Sequence, residues 1–471
     1  IRAAQESRGL GDVYKRQQQS DIIPMKNHLF LFLTLLTGMT HAQELPKLLS
    51  LEEAINFGLT NNRSIINADR EIQKAKKVKW KTIAVGLPQI SSEINYQNFL
   101  EMPISLVPAE FFGGNPGEFT ELTFGTEQNL IGSVMVEQLI FDGSYLGGLQ
   151  ATRVYLAISE NLFEKTNLEV RKLITNLYSN VLLAKYNIIF LEKNKASLES
   201  NFEEIHLLFR NGFEEEESVQ QIQITLAQTN SRLKYAKNLL KIEEDMLKFV
   251  IGYPIDATLK LTNELDDIFN EHLYLEILPN TNNIENNIDI KIADNNVKSE
   301  ALKLKLEKSK ALPKLNAFVN QTYTGNNNRF TFADSDQKWY ASSLLGLNVK
   351  IPIFSSLGRS ASTQKAKISL DQAVTQLEET QSKIRIEVNA KLNEYQLCIE
   401  NYYTEKENLR LAESIEKKNQ TKFYEGMVKS FELRMAQQQL YIAQINFVAA
   451  IQKVITNKVA IETLLNQYNN D

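Results

Sequence analysis

Two stretches of the chain repeat an apolar position every three or four residues over more than sixty residues, and four short stretches alternate apolar with polar instead. The long pattern is clear at Leu370, Ala373, Leu377, Thr380, Ile384 and Val388, with Lys, Glu, Gln, Asn and Ser between them. A stripe this narrow is a seam for neighbouring helices in coiled-coil manner, with the other faces left wet. No Pro occurs between Pro116 and Pro254 or after Pro352, and Gly212 and Gly426 are the lone glycines of their regions. Pro costs a helix interior about 3 kcal/mol and Gly about 1 kcal/mol. The pattern therefore predicts helical arms over about 149–211 and 359–425, each roughly 95–100 Å long. Gly212 and Gly426 supply the left-handed turn that ends each arm, and return helices follow over about 218–250 and 430–465. Further helices are expected over about 51–84 and 283–310. Residues 213–251 (~58 Å) and 283–310 (~42 Å) together match one arm. Two stacked helices are thus expected beside each arm, with the 51–84 helix stacked on the C-terminal one.

The alternating stretches are about 89–99, 130–140, 314–324 and 340–350. Ile90, Ile94 and Tyr96 alternate with Gln89, Glu93, Asn95 and Gln97; Leu345, Leu347 and Val349 alternate with Gly346, Asn348 and Lys350. Strands near ten residues long are what a tilted membrane-spanning strand requires. Phe99, Phe124, Tyr323, Phe330, Trp339 and Tyr340 gather at strand ends and loops, as in an interfacial girdle, although ordinary sheet cores also collect aromatics. Four strands in two hairpins cannot close a barrel, and lipid does not tolerate open edges. Oligomerisation is expected to complete it.

The chain also repeats itself. Asn61-Asn62, Ala68 and Leu87-Pro88 return as Asn286-Asn287, Ala293 and Leu312-Pro313, displaced by 225 positions. Val136 and Phe141 return as Val349 and Phe354, and Gly212 and Leu226 as Gly426 and Leu440, at displacements of 213 and 214. Such a unit is too long for a solenoid module and reads as a duplicated half-structure. The interval from Pro88 to Phe141 is about twelve residues longer than that from Pro313 to Phe354. An extra extracellular loop is expected around Met102 to Glu121, bent by Pro103, Pro108, Gly113, Gly114 and Pro116.

Charge and composition narrow the function. The formal net charge is −5, which disfavours a nucleic-acid partner because no basic field neutralises phosphates. Residues 1–24 read as a non-native upstream segment. Residues 25–42 read as a signal peptide: Lys26 and His28, an apolar run from Leu29 to Leu36, then Thr40-His41-Ala42. The single Cys, Cys398, forms no intrachain disulfide and suits a buried apolar position. No phosphate-cradling loop, metal-ligand spacing or nucleophile elbow is present, and His206 and His272 are isolated. No cofactor and no enzymatic activity are expected.

The corners Leu-Ile-Phe-Asp-Gly-Ser (139–144) and Ile-Pro-Ile-Phe-Ser-Ser (351–356) join strand to helix, and Phe209 with Gly212 and Phe423 with Gly426 form aromatic-x-x-Gly turns. With the Leu-Pro pairs before the strands, these motifs resemble the outer-membrane efflux protein family, the TolC-like channels of Gram-negative bacteria. The resemblance runs over residues 43–471, twice and in order. One departure is Leu139 where the second corner has Pro352, which alters only local strand-end geometry. The resemblance implies an α+β, mostly α fold, a trimeric TolC-like α/β-barrel. Long antiparallel coiled-coil helices would form a periplasmic α-barrel, and each homotrimer chain would add four transmembrane β-strands. The repeats would be residues 43–282 and 283–471. The chain would sit in the cell outer membrane and extend into the periplasm. There it would be a passive exit duct of a tripartite efflux or type I secretion system, partnered by a periplasmic adaptor (membrane fusion protein) and an inner-membrane pump of RND or ABC type. An exported periplasmic coiled-coil scaffold without a pore is the alternative.

Site residues follow from the same resemblance. Acidic residues six and nine positions after the second turn Gly narrow the periplasmic aperture in relatives. Glu432 matches that pattern and Met435 does not, so one negative ring is expected and the second is missing; Glu432 as an ordinary solvated helix residue is the other reading. The turns carrying Phe209, Gly212, Phe423 and Gly426 would be periplasmic tips. Beside them, Glu214, Glu215, Glu216 and Glu217 form either a solvated helix start favoured by the macrodipole or an adaptor-docking surface. Pro88, Phe141, Gly143, Pro313, Pro352 and Phe354 mark the strand–helix corners.

Overall fold

The computed structural model describes residues 48–273 and 284–466; the two expected leader segments lie outside them. Two compact units divide the chain. One holds residues 49–257 and 261–471 and is described below; in the other, residues 1–48 and 258–260, only Leu48 and 258–260 are among those described.

Helices dominate the larger unit: α1 (Leu51–Asn61), α2 (Arg63–Val85), α3 (Gly143–Arg210), α4 (Glu216–Ile251), α5 (Leu265–Leu273), α6 (Ile288–Ser309), α7 (Gly358–Tyr424) and α8 (Ser430–Leu465). The arms α3 and α7 run 68 and 67 residues, roughly 100 Å each at 1.5 Å per residue. The predicted seam is buried on α7 at Ala373, Ile384 and Val388, where α6 packs along it. The first expected helix is broken in two. Asn62 leaves helical geometry, and its side-chain oxygen accepts from the amides of Ser64 and Ile65 to cap α2.

That cap also corrects the expected stacking. Asn62 Nδ2 donates to the carbonyl of Val250, in the last turn of α4, at 2.6 Å. Asn287 caps α6 in the same way, and its Nδ2 donates to the carbonyl of Leu464, in the last turn of α8, at 2.8 Å. Hence α2 stacks on α4, and α6 stacks on α8. Length-matching pairs α4 with α6 instead, but each repeat stacks its own first helix on its own last one. The pair α2/α4 flanks one side of α3, and α6/α8 lies between α3 and α7.

Six strands of five or more residues lie among the described residues: β1 (Gln89–Asn98), β2 (Ile104–Pro108), β3 (Phe119–Thr123), β4 (Gln128–Asp142), β5 (Lys314–Asn327) and β6 (Trp339–Lys350). A four-stranded antiparallel sheet has the order β1-β4-β5-β6, so β1 and β6 are free edges. β4 runs four residues longer than expected and β5 three. The insertion at 102–121 is not a simple loop. β2 and β3 pair as their own small hairpin around a left-handed Gly113. The sequence hides it because Pro and Gly interrupt the alternation.

Register sorts the sheet into two faces, since directly paired residues share a face. One carries the rows Ile90–Val136–Val319–Leu345, Ile94–Gly132–Tyr323–Ala341 and Tyr96–Leu130–Gly325–Trp339. The other is more polar, with the rows Glu93–Ser133–Thr322–Ser342 and Gln97–Asn129–Asn326, although Ile131, Met135, Phe318, Tyr340 and Leu344 also lie on it. A polar row, Ser92, Gln321 and Ser343, crosses the apolar face, and there Ser343 donates to Gln321. Among the described residues no element covers the apolar face: Ile90, Ile94, Leu345 and Leu347 are 70–76% exposed. At its rim Tyr96, Phe330 and Phe332 form an edge-on aromatic cluster, with Trp339 6.3 Å from Phe332. Gly325 makes room for it, because a Cβ there would stand 3.1–3.2 Å from Phe332 and Trp339.

Candidate functional site

Each arm ends in the same turn for the same reason. Gly212 and Gly426 take φ of 75° and 70°, a region that side-chain-bearing residues enter at a cost of roughly 1–2 kcal/mol. The amide of Phe213 donates to Leu208 O and that of Gly212 to Phe209 O; Met427 and Gly426 repeat this with Lys422 and Phe423. These paired bonds satisfy carbonyls that the helix end would orphan.

The two tips are packed together. Phe423 is buried with Leu198, Ile205, Val219, Ile222 and Leu433, whereas Phe209 remains partly exposed. Tyr424 OH donates to Asn201 Oδ1 at 3.0 Å, and the hydroxyl oxygens of Ser430 and Ser218 lie 3.1 Å apart. Further up, Asn194 and Gln444 exchange amide bonds in the buried interface of α3 and α8. His206, which sequence leaves isolated, stacks on Phe202 at 5.8 Å.

The four-acid run divides at its first member. Burial pushes the Glu214 carboxyl up, but bonds from the hydroxyls of Ser430 and Ser218 and from the amides of Glu215 and Ser430 outweigh it, and the net shift is downward. Glu214 thus lies across the tip from the start of α8, which has no side-chain cap of its own. Glu215, Glu216 and Glu217 are exposed, and Gln220 and Gln221 donate to Glu216 and Glu217. Glu432 lies in the first turn of α8 with Met435 one turn on, both exposed.

The two corners differ more than Leu139 against Pro352 suggests. In the first, β4 shifts register between Leu139 and Phe141, and Asp142 caps α3 by accepting from Ser144 and Tyr145. Gly143 is buried where a Cβ would stand 2.7 Å from Leu312 and 3.0 Å from Ser309 O, next to Pro313. In the second, Pro352 has no amide to extend the ladder, and β6 stops at Lys350. Ser356 and Leu357 take positive φ, and Phe354 is 81% exposed. Arg359 holds the turn: Nη1 donates to Pro352 O at 2.7 Å, Nη2 to Ile353 O at 3.1 Å and Nε to Ser355 Oγ at 3.1 Å. Pro88 is exposed ahead of β1. Sequence reasoning misses Arg359 and the partly buried place of Glu214 beside Ser218 and Ser430, since both depend on which turn lies beside which.

Among the described residues no helix is long and apolar enough to cross a membrane; that says nothing of strands. Residues 281–467 match the family model described as outer membrane efflux protein. No curated protein sequence matches the chain. Solved structures share its fold. The outer membrane protein VceC of Vibrio cholerae is 14% identical, with a TM-score of 0.69 over 88% of this chain and 95% of that one. The CmeC outer membrane channel of Campylobacter jejuni is 16% identical, with a TM-score of 0.70 over 88% and 85%. The open-state MtrE outer membrane channel of Neisseria gonorrhoeae is 14% identical, with a TM-score of 0.66 over 88% of each chain. The second half of the chain thus matches the outer membrane efflux protein model, and the fold over both halves is that of these solved outer membrane channels.

Proposed function

We propose that the chain is the exit duct of a tripartite efflux or type I secretion system, passive in itself and closed by three copies. The carrying observation is the sheet: an apolar face that no described residue covers, a more polar face behind it, and two free edges. In water that arrangement exposes apolar rows and unpaired backbone; in lipid it stands only when edges meet. Three copies joined β6 to β1 give a twelve-stranded barrel, apolar outside and polar within. A periplasmic scaffold needs no such division of faces, and no observation favours that reading. Extraction with detergent rather than salt, followed by sizing, tests it; a salt-soluble monomer contradicts the duct.

Within this reading the α7–α8 tip is the periplasmic aperture. Three copies of Glu432 place a ring of carboxylates there, a means of favouring cations in a pore; Met435 adds none. Glu432→Gln is expected to weaken cation preference in planar-bilayer recordings, and unchanged selectivity contradicts the assignment. The exposed acids Glu215, Glu216 and Glu217, not the engaged Glu214, are the adaptor-docking charges beside the turns of Phe209, Gly212, Phe423 and Gly426. The pump lies beyond the adaptor. Charge reversal at the three acids should impair export with assembly intact; normal export rejects the docking role.

A further inference from the structure

The chain is acidic overall, yet the helix ends that adjoin the sheet are strongly basic. Residues 72–92 hold five Lys and no acid; 143–159 hold Arg153 and no acid; 303–314 hold five Lys and one acid, Glu307; and 358–370 hold one Arg, two Lys and no acid. That is fourteen basic residues against one acidic, in a chain of net charge −5. The far end is mixed: residues 199–217 hold seven Glu and one Arg, whereas residues 417–434 hold four Lys, one Arg and two Glu. The nearly acid-free basic segments are therefore a feature of the end beside the strands.

Much of the basic charge on α6 is engaged. Lys303 pairs with Glu300, Lys310 with Glu307 and Lys314 with Asp142. On α2 the situation differs. Lys74 pairs with Glu71, but Lys76, Lys77, Lys79 and Lys81 are exposed and make no ion pair among the described residues. Trp80 stands among them, 61% exposed. Above them, toward β1, Val85 and Leu87 are exposed and apolar. Along the α2 axis, Lys81 to Lys76 lie about 6–14 Å below Val85 at 1.5 Å per residue. An apolar rim followed by lysines with a tryptophan among them matches an interface: hydrocarbon first, then a headgroup zone where indole and ammonium groups both settle.

From this order we infer that the free lysines of α2, with Trp80, form a collar that binds anionic phospholipid headgroups of the leaflet facing the helices. The inference rests on the trimeric duct reading, which sets the strands in lipid. That same reading argues against a neighbouring copy as the occupant. The helix it would bring beside α2 is α7, whose first residues carry Arg359, Lys365 and Lys367 and no acid before Asp371. Like charge there leaves the α2 lysines unneutralised, and a phosphate-bearing surface supplies the missing anion.

The test uses the intact protein in nanodiscs of phosphatidylethanolamine with a minor fraction of phosphatidylglycerol, reading retained lipids and subunit number by native mass spectrometry. Wild-type trimers should retain phosphatidylglycerol over phosphatidylethanolamine by on the order of fivefold for each engaged lysine at low salt, with the preference fading at high salt. The quadruple variant K76Q/K77Q/K79Q/K81Q should form trimers without it, and K417Q/K418Q/K422Q, near the far tip, should keep it. Inserted trimers of the quadruple variant with unchanged preference overturn the collar alone. Loss of trimers in that variant assigns the lysines to subunit contacts and also overturns it. Wild-type chains that never insert overturn the duct and the collar together.

Discussion

The side chain of Asn62 holds two helices end to end: its oxygen caps α2 and its amide donates to Val250 O at the end of α4. Asn287 and Leu464 O repeat the arrangement in the second half. Asn62→Ala should cost about 1–3 kcal/mol, combining a lost cap with a buried carbonyl left unpaired. Asn62→Asp keeps the cap but loses the donor, so it should fall between Ala and wild type. Thermal unfolding of the three proteins checks the order; equal midpoints for Asp and wild type remove the junction from the account.

The turn glycines make a second, independent expectation. Gly212→Ala and Gly426→Ala each force a Cβ into the left-handed region, although open space surrounds both positions. The cost is therefore backbone strain alone, roughly 1–2 kcal/mol, and Asn in place of Ala should recover part of it. Thermal midpoints again decide: a neutral Ala at both sites shows that the turns relax.

Asn194 and Gln444 are both about 5% exposed and bond only across the α3–α8 interface. Replacing one by Leu strands a buried amide and should cost about 1–3 kcal/mol. Replacing both should cost less than the sum of the two single changes. A double-mutant cycle measures the coupling, and strict additivity contradicts the pairing.

Glu416, on α7, gives a pH dependence of unusual sign. Burial pushes its carboxyl up, against a hydrogen bond from Gln437 and the charge of Lys193. A raised folded pKa favours the protonated form. Its contribution to stability is thus full below the ordinary carboxylate range and lost as pH rises through the raised value. Glu416→Gln should raise the thermal midpoint at neutral pH and have little effect at acid pH. A variant destabilised equally at both ends of the range contradicts this.

Much of the architecture is legible in the residues. Periodicity and the absence of Pro give α7 to within a residue at each end and α3 except for its first six residues, and alternation gives the four sheet strands. Stacking was not legible from length, because α2 and α6, with 23 and 22 residues, complete an arm equally well beside α4. The deciding residues, Asn62 and Asn287, are visible in the sequence, but only as markers of the repeat; their reach to a second helix is a fact of three dimensions. The same holds for Glu214, which sequence groups with three neighbours and the fold sets apart from them. Arg359 carries no local signal, because its acceptors are backbone carbonyls of a turn whose shape sequence does not specify. Aperture and docking roles came from family likeness, and the fold contributes exposure and position.

The central claim is that one chain supplies a third of a closed cylinder whose edges, β1 and β6, meet only between copies. Native mass spectrometry of detergent-extracted protein, with bilayer conductance recorded on the same fractions, addresses it most directly. The account predicts that conductance follows the species with the mass of three chains and is absent from any single-chain fraction. Conductance carried by single chains, or three-chain material that never conducts, contradicts it.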